Sequence, residues 1–524
     1  MAAREQRGRR TALPSAPSEG TTTAVLATLL ACTAVVPLIP LLVRVDPNHV
    51  APTVAHAALC GVGAGIAVFP RFRPMLLIAS VFPYCWLVLP SIYQIATTQA
   101  AWGDAGVTTQ FSATLRAQLV LALAQGCLLV GYLAYGRRAP RPELAWRIAP
   151  GRRRRMTLLA GVYLVGALAL TPLLVSAAGG PGALFSSRNT VGENAASAGL
   201  GTDTQVLGSL VRVAPSGFAI AASVLALWLI RATVKGTRER ALAVGLSGVA
   251  FLLLLIVANP FTTPRYFVLA AFGTFIIALL RPRGSLVAFG WLVMGVVALL
   301  LAYPAANYFR YGEALSGPEQ MLASPDFDGF QQMVNTVTLV DAQGWDFGLH
   351  LLSAIFFFVP RAFWAAKAEP STFEIAGARG YDFLDLSTPF PAETYLAFGW
   401  GGVIVIMLGV GALWAFLDRH WLDQSRIAVI AGYLAVAQVG MWRGPFGSLS
   451  GVFGFTVGLL VVAVFLTTGN PDLDEPGDPN DATGPDAVLP GEVRGGQRRR
   501  RRGALTGAGT TARRTSRAAR APLS

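Results

Sequence analysis

The sequence predicts an all-α integral membrane protein with about twelve transmembrane helices and one large extracytoplasmic loop holding a short re-entrant or amphipathic helix. Three observations carry this. Of 524 residues, 53% are hydrophobic and only 13% are charged, a balance foreign to ordinary water-soluble domains. Apolar runs long enough to cross the roughly 30 Å hydrocarbon layer recur along the chain. Cationic residues gather in every second connector, the pattern that orients membrane helices.

The runs lie near 22–43, 51–70, 74–93, 115–135, 156–176, 207–230, 241–258, 266–280, 285–303, 392–416, 427–441 and 450–467. Those at 266–280 and 427–441 are short for a span. The first run is too long for a signal peptide and shows no clear small-residue cleavage site. Residues 21–468 therefore form one membrane domain. Residues 1–20 and 469–524 are rich in Pro, Gly, Asp and Arg without apolar period and read as disordered tails.

The net charge of +14 would suggest nucleic acid in a soluble protein. Here its distribution along the chain explains it better. With the amino terminus inside, Arg4 to Arg10, Arg71, Arg73, Arg137 to Arg155, Arg231 to Arg240, Arg281, Arg283, Arg419 and Arg426 all fall on one side. An even number of spans then leaves both termini cytoplasmic. The run Arg498 to Arg502 reads as a solvated tail, with contact to anionic lipid as the alternative. Cys32, Cys60, Cys85 and Cys127 all sit within spans, and His49, His56, His350 and His420 are scattered. No disulfide, metal site or cofactor follows from them.

The outward connectors are short except for 94–113, 177–206 and 304–391. Within the last, Leu349 to Val359 is apolar but too short to span. Pro360, Arg361 and Trp364 mark an interfacial end, so the run reads as a re-entrant or surface-lying helix.

Ten cationic side chains remain outside: Arg44, Arg116, Arg188, Arg212, Arg265, Arg310, Arg361, Lys367, Arg379 and Arg443. Positive charge there opposes the orientation rule. Guanidinium forks bind phosphate oxygens bidentately, so several together suit a diphosphate. The alternative is snorkelling and loop solubility. The choice of Arg over Lys decides nothing, because the chain has only two lysines. Arg265, Arg310, Arg361 and Arg443 lie beside helix ends with aromatic or Pro neighbours and fit the anion site best. Arg188 and Arg379 are open to both readings, and Arg44, Arg116 and Arg212 read as anchors.

Glu393 stands in the first turn of a helix beginning near Pro391, where proline suits the start and the helix dipole favours an ionised carboxylate. A carboxylate entering the membrane is costly unless used, as a base or in an ion pair with an outer arginine. Tyr395, Phe398, Gly399, Gly401 and Gly402 follow, and the glycines permit close helix packing. His350 is a base candidate near neutral pH or a surface histidine. Asp326, Asp328, Asp341, Asp346, Asp382 and Asp385 read as solvated or capping residues, Asp326-Phe327-Asp328 being weak evidence for metal. The aromatics from Tyr303 to Tyr395 fit a saccharide groove and an interfacial belt equally.

Asn259-Pro260, Pro264-Arg265-Tyr266 and Phe357-Phe358-Val359-Pro360-Arg361-Ala362-Phe363-Trp364 together resemble the Wzy-type oligosaccharide repeat-unit (O-antigen) polymerases. Ser387, Pro389-Phe390, Glu393, Tyr395, Phe398-Gly399 and Gly402 are similar to that family's loop-to-helix signature. The resemblance covers 259–402 in detail. It implies a metal-independent glycosyltransferase of the cytoplasmic membrane. Its substrate would be a repeat unit on undecaprenyl diphosphate, its acceptor another lipid-linked unit, and its partner proteins a flippase and a chain-length regulator. It further implies that Arg265, Arg361 and Arg443, with Arg310, hold the departing diphosphate. Glu393 would deprotonate or orient the acceptor hydroxyl, with His350 as the second candidate base. Arg188, Tyr266 and Tyr395 complete the expected substrate-binding set.

Three rivals remain. A ligase that moves finished polymer would use similar arginines. A lipid-carrier transferase using monosaccharide donors usually carries acidic residues in its first outer loop, where Val45 to Val50 offers only Asp46. A transporter should show inverted repeats and intramembrane charges, and the sequence shows no repeat and almost no charge within the spans.

Overall fold

The computed structural model describes residues 19–103, 110–138, 150–182, 206–259, 263, 265–279, 321–384, 386–422 and 427–467, with isolated positions between 287 and 297. All of these belong to one compact unit ending at Asn470; a second unit, Pro471–Ser524, lies outside the described residues. Among the described residues every regular element is a helix. We number them α1 Glu19–Leu42, α2 Pro47–Val68, α3 Pro74–Thr97, α4 Phe111–Arg138, α5 Pro150–Ala177, α6 Val206–Ala232, α7 Arg238–Val257, α8 Arg265–Leu279, α9 Gly329–Gln343, α10 Leu349–Ile355, α11 Ser371–Arg379, α12 Phe390–Leu422, α13 Ala428–Arg443 and α14 Phe446–Leu466.

Nine of these, α1 to α7, α12 and α14, are long and apolar enough to cross a membrane. The expected spans at 266–280 and 427–441 are α8 and α13, only 15 and 16 residues long. The expected span at 285–303 lies outside the described residues apart from its isolated positions. The expected twelve thus resolve into nine long helices, two short ones and one segment without description.

Helix α12 is the axis that places the site. It packs along α4, and glycine makes the closeness possible. A Cβ on Gly131 would meet the Leu408 carbonyl oxygen at 2.1 Å, and one on Gly411 would meet that of Leu128 at 2.0 Å. Small residues at such crossings let two backbones touch, which is how helices gain contact without a hydrophobic drive between them. Near the end of α12, the buried Asp418 carboxylate accepts from Met75 N (2.9 Å), Leu76 N (3.1 Å) and Tyr132 Oη (2.8 Å). It thereby caps the opening turn of α3 and ties three helices together. The other end of α12 is broken: Phe398 and Gly399 leave helical geometry, with Gly399 at φ 58° and ψ −142°. Phe390 to Ala397 therefore form a separate short segment, and Glu393 sits on it.

The apolar run expected to continue to Val359 is helical only as α10, ending at Ile355. Helix α10 packs on α12 and α14, while α9 packs on α4 and α12. Both helices belong to the region between α8 and α12, and both bear on the Glu393 segment.

Candidate functional site

Two polar centres are built from the singled-out residues. The first is built on Glu393, which is 2% exposed. Its Oε1 accepts from Ser371 Oγ at 2.6 Å and from Phe446 N at 3.3 Å. Phe446 opens α14, just after Pro445, and its N–H is one of the first in that helix, which have no partner within their own helix. Beside Glu393 stands His350, in the first turn of α10. Its Nδ1 lies 2.6 Å from Asp346 Oδ2, and its Nε2 lies 3.5 Å from Glu374 Oε2.

Asp346 is held in turn. Its two oxygens accept from Gly348 N (2.8 Å) and His350 N (2.9 Å), and its own N–H donates to Leu396 O at 3.1 Å. Burial alone would lower the His350 pKa. The hydrogen bond to Asp346 and the charges of Glu393, Asp346 and Glu374 outweigh it and raise the value above that of a free histidine. Burial likewise pushes Asp346 upward, but the bonds from His350 and Gly348 hold its carboxyl below the ordinary carboxylate range. An imidazole fixed at Nδ1 by a carboxylate, with Nε2 toward further acid, is a proton-handling arrangement.

The second centre pairs two arginines with one carboxylate. Arg265 Nη1 lies 3.0 Å from Asp326 Oδ2, and Arg443 Nη2 lies 3.8 Å from Asp326 Oδ1. The Arg443 guanidinium also lies over Trp86 (5.5 Å) and Tyr266 (5.6 Å). Stacking of this kind orients a guanidinium without consuming its donors. Asp328 turns the other way. Its Oδ2 accepts from Trp102 Nε1 (2.8 Å), Gln332 Nε2 (3.2 Å) and Ser387 N (3.2 Å). The network continues through Gln332 and Asn335 to Arg379 Nε, 2.7 Å from Asn335 Oδ1. Burial pushes the Asp328 carboxyl up against these bonds and the nearby Arg443 charge. Asp326 thus faces the two arginines while Asp328 accepts from Trp102, Gln332 and Ser387, and among the described residues no group of three His, Cys, Asp or Glu side chains has metal-binding geometry.

The centres are adjacent along the chain. Arg443 ends α13 and Phe446 opens α14, so the residue holding the arginine centre and the one holding Glu393 have Cα atoms at most roughly 11 Å apart.

No family model, no curated protein and no solved structure matches this chain. What the site can do follows from its own side chains.

Of the residues singled out in the sequence, the structure gathers Glu393 with His350, and Arg265 with Arg443 and Tyr266. Arg361 is placed differently: its Nη1 donates to Lys367 O at 2.6 Å and its Nη2 to Ala368 O at 3.4 Å, both in its own loop. Tyr395 is buried on another face of the segment, near Arg116, whose guanidinium forks onto both oxygens of Asp341. Its ring meets Trp400 edge-on at 5.7 Å. Arg188 and Arg310 lie outside the described residues. Sequence reading takes Asp346 as a solvated or capping residue, and it does accept from the backbone N–H groups of Gly348 and His350, but its hold on the His350 ring and the parts played by Glu374 and Ser371 are not foreseen. Asp346 carried a usable signal, because Asp-x-Gly-x-His at a helix start places a capping carboxylate on the histidine one turn later. The other two are brought in by folding of distant loop segments, which no local spacing reveals.

Proposed function

We propose that the protein is a glycosyltransferase that polymerises oligosaccharide repeat units carried on undecaprenyl diphosphate, at the outer face of the cytoplasmic membrane. The observation that carries this reading is that a two-arginine centre at the end of α13 lies three residues along the chain from the Phe446 N–H that holds Glu393 beside the Asp346–His350 pair. Group transfer from a lipid diphosphate needs both: a group that takes the acceptor proton and fixed cations where the leaving charge develops.

In this reading His350 Nε2 takes the proton from the acceptor hydroxyl, since His350 is less deeply buried than Glu393. The freed oxygen attacks the anomeric carbon of the donor, a new glycosidic bond forms, and the bond from that carbon to the diphosphate oxygen breaks. The leaving diphosphate keeps the electron pair beside Arg443 and Arg265. Asp346 fixes the imidazole, and Glu393 is the buried anion that favours its protonated state. This exchanges the roles expected from sequence, where Glu393 came first as base. The basic ends of α5 and α7, where Arg153 pairs with Glu239 at 3.2 Å, support a cytoplasmic placement of the opposite face.

The test is the surface glycan of cells lacking the gene, complemented with wild type, Glu393→Gln or His350→Ala. Single repeat units in place of long polymer, rescued by wild type alone, support a polymerase. Long polymer stranded on its carrier indicates a ligase instead, and unchanged glycan overturns both.

A further inference from the structure

Segment 345–366 is turned inside out. Each of its exposed side chains is apolar, with Phe347 71%, Ile355 55%, Phe358 66% and Phe363 86% exposed. Exposed polar residues resume directly outside it, at Gln343 on one side and Glu369 on the other. Its ionisable groups turn inward: Asp346 and His350 onto each other, and Arg361 onto the carbonyls of Lys367 and Ala368. Ser353 Oγ likewise accepts from Ala368 N at 2.9 Å. A contiguous apolar surface with a polar rim marks a place where something other than water lies.

The backbone is closed to solvent in the same way. Helix α10 ends at Ile355, and the chain then runs without regular structure until α11 begins at Ser371. Within this stretch Lys367 Nζ donates to the carbonyls of Phe356 (3.2 Å), Phe357 (2.8 Å) and Val359 (3.0 Å). Pro360 O accepts from Phe363 N (3.0 Å) and Trp364 N (3.2 Å). Carbonyls in water need no lysine to serve them. Irregular backbone beside hydrocarbon does need partners from within the protein.

What covers the apolar face follows from its neighbours. Helix α10 packs on α12 and α14, both long enough to cross a membrane. Those helices carry exposed apolar side chains of their own, Val405 at 70% and Phe465 at 77%, so the face of α10 continues a surface suited to lipid. Seven residues of helix rise only about 10 Å, a third of the hydrocarbon layer, so the segment enters and leaves on one side. Trp345 and Trp364 stand near its two ends, where an aromatic belt meets the membrane surface. His350 lies between these environments. Leu349 and Leu352 beside it in sequence are exposed, and its Nε2 is 3.5 Å from Glu374 Oε2 on α11, a residue also exposed. We infer that segment 345–366 docks in the hydrocarbon of one leaflet, the outer one in the proposed topology, and that this docking holds His350 at the leaflet's polar boundary. This goes beyond the short apolar helix expected from sequence, because the docked unit includes the irregular stretch that Lys367 and Arg361 close. It rests on exposure and hydrogen bonding, and stands whether or not the protein is a polymerase.

The experiment uses the full chain in phosphatidylcholine–phosphatidylglycerol nanodiscs, with Cys32→Ala and Cys127→Ala and the buried Cys60 and Cys85 left in place. A nitroxide is attached in turn to Ala362→Cys, Ala366→Cys, Gln343→Cys and Glu374→Cys. Its collisions with oxygen, which concentrates in hydrocarbon, are compared with those of a water-soluble nickel chelate. Oxygen should prevail at 362 and 366, and the chelate at 343 and 374. Lys367→Met should shift position 362 toward the chelate, since three carbonyls lose their donor, and Lys367→Arg should shift it less. Chelate dominance at 362 and 366 shows a water-facing loop and overturns the inference. Exclusion of both reagents there shows a protein cover, such as a second copy of this chain, and overturns it as well. Oxygen dominance at 374 overturns the placement of His350. Where a cysteine variant fails to fold, the wild-type chain in nanodiscs carrying acyl-chain diazirine phosphatidylcholine decides. Irradiation should label peptides from 345–366, and a labelled set without them overturns the inference.

Discussion

His350 Nδ1 lies 2.6 Å from Asp346 Oδ2, and the same carboxylate oxygen accepts from the His350 backbone N–H at 2.9 Å. One carboxylate thus fixes both the start of α10 and the ring orientation of its histidine, leaving Nε2 as the atom facing acid. Because the His350 pKa is raised in the folded protein, transfer activity should climb as pH rises through that raised value and neutral imidazole appears. Asp346→Asn should move this limb to lower pH and lower the plateau, by less than the about 10²–10⁴-fold a positioned base contributes. The stability sign is opposite. A raised folded pKa stabilises the protein fully below the unfolded value of about 6.5, and that contribution is lost as pH rises through the folded value. Melting temperature should therefore fall across this window in wild type and stay flatter in His350→Gln. A pH–rate profile unmoved by Asp346→Asn removes the dyad from the chemistry.

Glu393 depends on two donors, Ser371 Oγ at 2.6 Å and Phe446 N at 3.3 Å. Ser371→Ala leaves a buried carboxylate with only the longer bond, which should cost about 1–3 kcal/mol. Thermal unfolding of the purified variant measures this. Glu393→Gln keeps the shape and removes the charge, so polymer should vanish while the protein stays folded in the membrane. Full polymer from Glu393→Gln excludes any role for the charge.

How much of this was legible in the sequence depends on the range of the interaction. Spans such as α4 and α6 declare themselves through apolar length, which is local. The split of α12 does not, because Gly399 reads equally as a helix-packing glycine. Its break becomes necessary only once Trp345, distant in sequence, lies against it. Glu393 stood out because a carboxylate at a membrane helix start is conspicuous, yet Ser371 and Asp346, which place it and its neighbour, looked like ordinary loop residues. Arg361 was drawn to the anion site by its proline and aromatic neighbours, and the structure occupies its fork with backbone carbonyls.

Arg361 therefore tests structure more than binding. Its two forked donors serve the carbonyls of Lys367 and Ala368, and a lysine ammonium does not reproduce that planar fork. Arg361→Lys should lose nearly as much thermal stability as Arg361→Ala. If both variants melt like wild type but lose carrier binding, the arginine belongs to the ligand after all.

Arg443 and Arg265 both face Asp326. An incoming diphosphate has to compete with that carboxylate. Asp326→Asn should tighten binding of polyprenyl diphosphate by roughly tenfold, about 1.4 kcal/mol, while lowering thermal stability. Arg443→Lys should weaken binding, since it gives up both the fork and the stacking on Trp86 and Tyr266. Binding to nanodisc-embedded protein reads both. Weaker binding in Asp326→Asn shows the carboxylate to be an organiser of the arginines and not their competitor.

Gly399 holds φ 58° and ψ −142°, where a side chain is strained, and a Cβ there would meet Trp345 Nε1 at 2.9 Å. Gly401, two residues on, has nothing within 4 Å of its own Cβ position. Gly399→Ala should cost about 1–3 kcal/mol through backbone strain, with the Trp345 contact adding to it. Gly401→Ala should be neutral or slightly stabilising, since alanine is the better helix former. The consequence reaches the site because Asp346 N donates to Leu396 O at 3.1 Å, immediately before the break. Straightening the helix at 399 shifts that carbonyl and with it the carboxylate that fixes His350. In Gly399→Ala the lost stability should therefore come with a displaced pH–rate limb, whereas a purely structural kink would lower the amount of folded protein and leave the limb in place.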